Sequence, residues 1–107
     1  MIIVTTEHVP GQQETASLGL VRGSSIRARH VGKDIIATLR NLAGGEVHEY
    51  SKLLGESREQ AVDRMIEEAE ALGANAIIGV RFQTSMVMQG AAEMLCYGTA
   101  IKLEAIS

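Results

Sequence analysis

Val47, Tyr50, Leu54, Ala61, Met65, Ala69 and Leu72 hold one helical phase from end to end. An apolar stripe of that length has to lie on a broad apolar surface, which restricts the chain to folds with a layer wide enough to receive it. The stripe predicts a single helix from about Glu46 to Leu72. Ser57-Arg58-Glu59-Gln60 also fits a capping box that would open a new helix at Ser57. Ser57 falls within the same phase, however, so one continuous helix is expected, with Gly55 a tolerated weak point. Glu56, Glu59, Asp63, Glu67 and Glu70 lie on the other face, which is acidic and solvated. Gly73 stands where a left-handed residue closes a helix.

The rest of the chain supplies that surface. Ile2–Thr6 is short and β-branched and reads as a strand; Pro10-Gly11 is turn punctuation. Thr15–Val31 reads as one long strand, or two joined at a bend, with Gly23-Ser24-Ser25 as the bend or bulge. Ile35, Ile36, Leu39, Leu42 and Ala43 return to helical spacing, and Gly44-Gly45 ends that helix. After Gly73 two strands follow, with a turn over Met86–Glu93 centred on Gly90. In the first, Ala76, Ile78, Val80, Phe82 and Thr84 share one face. In the second, Met94–Ile106, Leu95, Tyr97, Thr99, Ile101 and Leu103 alternate with Met94, Cys96, Gly98, Ala100 and Lys102.

The order is β-β-α-α-β-β. It defines an α+β domain, a two-layer subunit whose mainly antiparallel sheet carries helices on one face. The last two strands carry apolar or small residues on both faces, so both faces should be covered. Gly79, inside a strand, and Gly98, on the strand that returns beside it, point to close approach by another piece of protein, a neighbouring subunit or a packed helix.

With 107 residues, of which 46% are hydrophobic and few are aromatic, the chain fits one domain, 1–107. The net charge of −3 argues against nucleic acid as a main partner. Arg22, Arg27 and Arg29, with His30 and Lys33 nearby, read as a solvated strand edge or a salt-bridge patch between subunits. The single cysteine, Cys96, excludes an intramolecular disulfide and fits a reducing cytoplasm. The opening MIIVTTEHVPG lacks the pattern of a signal peptide, and no apolar run approaches a membrane span.

Chemistry-bearing motifs are scarce. GLVRGSS lacks the lysine and the spacing of a phosphate loop. Gly44-Gly45-Glu46 joins two helices and could present amides to an anion. The soft-metal candidates are His30, His48 and Cys96, with no H-x-x-x-H or C-x-x-C spacing among them. Cys96 lies in an apolar strand, where a thiol is inert core filling. No nucleophile stands beside a recognisable base, so no catalytic residue is assigned.

RHVGKDIIATLRNLAGGEVHEYSKLLGESREQA, LGANAIIGVRF and YGTAIK, in that order, resemble the YbjQ-like family of small proteins, which carries a heavy-metal-binding label. The resemblance spans nearly the whole chain. It implies a two-layer subunit assembling into a closed homo-oligomeric ring of five, with no established enzyme activity and no resident cofactor beyond a conceivable metal ion. Asp34, Arg40, Gly44, Gly45, Tyr50 and Arg58 match family positions and form the candidate anion-binding or interface set. His30, His48 and Cys96 fall on no family motif position, so a metal role is not carried over to them. The expected function is that of a non-catalytic cytoplasmic ring whose partner is itself, with a small ligand at subunit interfaces. The alternatives are a metal site shared between subunits and, further off, an enzyme acting on a small anionic metabolite.

If Asp34 and Arg40 belong to a polar network, Asp34→Ala and Arg40→Ala should each destabilise the protein by about 1–3 kcal/mol or dissociate the assembly. Thermal denaturation and solution mass would register either change.

Overall fold

A computed structural model describes residues 1–27, 48–88 and 91–106, with side chains over 1–26, 54–86 and 92–106. Four strands and one helix occupy these residues: β1 (Ile2–Ile3), β2 (Gln12–Arg27), α1 (His48–Ala71), β3 (Ala76–Met88) and β4 (Ala91–Ala105). The expected first helix, with Asp34, Arg40, Gly44 and Gly45, lies outside the described residues.

The strands form one sheet in the order β1-β3-β4-β2. It is mixed: β1 runs parallel to β3, whereas β4 is antiparallel to both β3 and β2. The expectation of a mainly antiparallel sheet holds. The first strand is shorter than Ile2–Thr6, but the chain goes on bonding to β3 after the ladder ends. Val4 N–H donates to Ile77 O at 3.0 Å, Gly79 N–H to Thr6 O at 2.9 Å and Val80 N–H to Val4 O at 3.1 Å.

The continuous-helix reading also holds, since α1 passes through Ser57 without a break. Its inner face buries Ser57, Ala61, Met65 and Ala69, while Glu56, Glu59, Asp63, Glu67 and Glu70 are exposed. Leu72, placed on the stripe by its phase, is exposed past the helix end. Gly73 closes the helix in a left-handed conformation (φ +84°). Its N–H bonds to Glu70 O at 2.9 Å and Ala74 N–H bonds to Ala69 O at 3.0 Å, the paired closure that uses two orphan carbonyls.

The main core forms where α1 lies on β2 and β4. Val21, Ile77, Val80, Met94, Cys96 and Ala100 meet Ala61, Met65 and Ala69 there. The other sheet face has a small core of its own: Ala76, Ile101 and Leu103 pack with Val9 and Ile78. The loop after β1 thus covers one end of a face for which a neighbouring subunit was the expected cover.

Two local expectations are corrected. Gly23-Ser24-Ser25 is not a bend; these residues pair regularly with Cys96, Leu95 and Met94, and the irregularities of β2 fall at Glu14/Ala16 and Ser17/Gly19. The segment Met86–Glu93 is mostly strand, because Met88 pairs with Ala91 and only positions 89–90 link β3 to β4. Nothing within the described chain approaches Gly79 closely. It sits at φ +61°, and a methyl group added there would meet only Glu7 Oε1, at 3.9 Å. It is a bulge residue between Ile78 and Arg81, left-handed because glycine alone adopts that conformation without penalty. The bulge reverses the alternation, so Ile77 and Val80 both enter the main core while Ile78 joins Ala76 on the other face.

Close approach within the chain occurs at Gly98 and Gly23. A methyl at Gly98 would stand 2.8 Å from Ile77 Cγ2 and 2.9 Å from Ile78 O. A methyl at Gly23 would overlap the Ala61 carbonyl and the Met65 amide. Gly23→Ala should therefore destabilise by roughly 3 kcal/mol, at the upper end of overpacking penalties. Gly79→Ala should cost about 1–2 kcal/mol for its left-handed backbone, with Gly79→Asn milder. Urea denaturation should rank the three variants in that order.

Candidate functional site

Of the candidate anion set, only Arg58 has a described side chain. It is exposed, and its Nε–H donates to Leu54 O at 3.4 Å within its own helix. Tyr50 and His48 lie in α1 with side chains outside the described residues. Asp34, Arg40, Gly44, Gly45 and His30 lie outside them altogether. Nothing described brings this set together.

Cys96 is fully buried beneath α1, opposite Gly23 on β2. Burial pushes its thiol above the ordinary value of 9.0, and a backbone hydrogen bond with Gly23 offsets this in part. This placement supports the inert-thiol reading over the ligand reading. Met94 is buried two residues away, whereas Met86 is exposed. Among the described residues no three His, Cys, Asp or Glu side chains are grouped so as to hold a metal ion.

Two polar devices fix the frame. Ser57 Oγ–H donates to Ser25 Oγ at 3.2 Å, and Ser25 Oγ–H donates to Gln60 Oε1 at 2.7 Å. The S-x-x-Q spacing thus serves to dock α1 on β2 rather than to start a helix. At the other end of the sheet, Asn75 imitates a strand residue. Its Nδ2–H donates to Leu103 O at 2.9 Å, and its Oδ1 accepts from Leu103 N–H at 2.7 Å.

The structure gathers a different set of charged residues at the open edge of β2. Arg22, Ser24, Arg64, Glu68, Glu93 and Leu95, with the Gly23 backbone, line a cleft of about 580 Å³. Val21, Gly23 and Ser25 face α1, so strand alternation turns Arg22 and Ser24 to the opposite face. Their neighbours there are Glu93 and Leu95 of β4. Arg64 reaches around the edge from α1 and donates through Nη1 to Ser24 O. Among the described residues the sole ion pair is His8–Glu14, at 3.3 Å. The four charged groups of the cleft are therefore not ion-paired with one another.

Sequence reasoning reads Arg22 as part of a solvated strand edge or a salt-bridge patch between subunits, and misses Arg64, Glu68 and Glu93. One signal was available: Arg64 and Glu68 are a basic–acidic pair one helical turn apart on a predominantly acidic helix.

An α+β plate of this topology, with no catalytic constellation among its described residues, defines a class by fold rather than by activity. A family model described as "Putative heavy-metal-binding" matches residues 1–104. The chain belongs to this YbjQ family. Similar relatives are UPF0145 proteins. That of Clostridioides difficile is 60% identical over 97% of this chain and 93% of its own length. That of Methanosarcina acetivorans is 57% identical over 96% and 97%. The fold resembles the crystal structure of a protein of unknown function of the DUF74 family from Pediococcus pentosaceus. Its TM-score is 0.66 at 18% identity, covering 97% of this chain and 98% of that one. No described helix is long and apolar enough to cross a membrane.

The raised Cys96 pKa fixes a pH dependence. The unfolded thiol ionises first, so this contribution to stability is fully present below about pH 9 and is lost as pH rises through the folded value. Urea midpoints should fall above pH 9 in the native protein, and Cys96→Ala should lose that part of the slope.

Proposed function

We propose that the protein is a non-catalytic homo-oligomer, a closed ring in which each subunit contacts the next head to tail, with a small-ligand site at the contacts. Five subunits is the number implied by the family resemblance. The observation that carries this reading is the incomplete cover of the sheet by the described residues. α1 packs on β2 and β4. On the same side, Phe82 and Met86 of β3 remain 48% and 73% exposed. On the other face, Leu20 and Ile26 of β2 are 64% and 56% exposed. Large apolar side chains on both faces and at opposite margins of one sheet suit a heterologous contact, in which two different patches meet and the rotation closes.

The names of the relatives carry no activity, in keeping with a non-catalytic reading. A second reading, a heavy-metal site assembled between subunits, follows from the family description. It would draw on His30 and His48, because Cys96 is enclosed within its own subunit.

A native mass spectrum of the untagged protein tests both readings. The expected species is a five-chain assembly, and a fixed excess mass that chelation removes would favour the metal reading. Phe82→Ser combined with Met86→Ser should yield folded monomers. A monomeric parent protein, or an unchanged assembly in the double variant, would overturn the proposed contact.

A further inference from the structure

The cleft at the edge of β2 has an order to its charges. Ser24 and Leu95 are directly paired and form its middle. Arg22 pairs with Tyr97, and Glu93 pairs with Ile26. Arg22 and Glu93 therefore flank the middle on opposite sides, each about 7 Å along the strands. α1 runs antiparallel to β2, because Ser57 and Gln60 meet Ser25 while Ala61 and Met65 meet Gly23. Arg64 accordingly stands over the middle, on Ser24 O, and Glu68 lies one turn further toward the Arg22 end. Arg64 occupies the middle, Arg22 and Glu68 share one end, and Glu93 stands alone at the other.

The four charged groups line a common space and are not ion-paired with one another. A purely anionic ligand would meet two carboxylates, and a purely cationic one would meet two guanidinium groups. A molecule bearing both signs satisfies the set. Strand addition at this point is disfavoured because Arg64 already occupies the outward Ser24 carbonyl.

We propose that this cleft binds a small zwitterion with a primary ammonium and a carboxylate, that is, a free amino acid. Its carboxylate lies between Arg22 and Arg64, its ammonium lies toward Glu93, and its side chain rests on Leu95. Bidentate guanidinium–carboxylate geometry fixes the orientation, and Leu95 and Ser24 set a preference among side chains. The site is built within one chain and does not depend on the ring.

The test is a thermal-shift screen of the full chain against the standard L-amino acids. Calorimetry then compares the best binder with its C-terminal amide and its N-acetyl derivative. At least one amino acid should bind with a dissociation constant of about 1 mM or tighter, and each derivative should bind at least about tenfold more weakly. Arg22→Gln should erase the preference over the amide, and Glu93→Gln the preference over the N-acetyl form. No binding anywhere in the panel, or equal affinity for all three forms, would overturn the proposal. So would variants that change the native mass of the assembly while leaving amino-acid binding intact, since the cleft would then be a subunit contact. Mass and binding are read separately, so failure of the ring and failure of the site are distinguishable.

Discussion

α1 can lie on the sheet only because Gly23 has no side chain where the helix backbone crosses β2, and the small Ala61 faces it. A methyl group at position 23 would intrude on peptide groups that cannot move aside. The short separation brings Met65, Cys96 and Val21 into one packed layer and brings Ser57 within bonding distance of Ser25. Burying two serine side chains against a half-buried Gln60 is tolerable because the three satisfy one another, and the same bonds fix the position of the helix along its axis. The Arg64 contact follows, since a helix held this close and in this register can send a guanidinium over the strand edge to Ser24.

The two ends of the sheet are stabilised differently. At the α1 end, side chains interlock across layers. At the β1 end, backbone groups dominate: the loop after β1 pairs with β3, Arg81 Nη1 donates to Thr5 O at 2.9 Å, and Asn75 stands in for a strand residue beside Leu103. The Gly79 bulge lets these schemes coexist on one strand. Without it, Ile77 and Val80 would point to opposite faces, and one of them would leave the main core.

Much of the architecture was legible in the sequence, because periodicity reports on faces. The phase of α1, its stop at Gly73, its acidic outer face and the alternation of β4 are local properties of consecutive residues. The bulge was not legible, since a glycine at φ +61° and a glycine under a neighbour look alike in a sequence. For that reason the bulge expected at Gly23 falls at Gly79, and within the chain the close contact falls at Gly23. The cleft was illegible on different grounds. Its charges come from β2, α1 and β4, and their convergence depends on how closely the helix approaches the sheet. The anion candidates Asp34, Arg40, Gly44 and Gly45 fall outside the described residues, so the described structure adds nothing to their family resemblance.

The strand with the longest ladders is the last described element in the chain. β4 pairs with β2 from Gln12↔Ala105 to Arg27↔Ala92 and with β3 along its other edge. During synthesis β2 emerges long before its partner exists, and its apolar residues have to wait. Contacts that span most of the chain are slow to form because loop closure precedes any gain from pairing. The nascent chain would therefore carry a long unsatisfied strand until β4 clears the ribosome, an interval in which chaperones or sister chains can compete for β2.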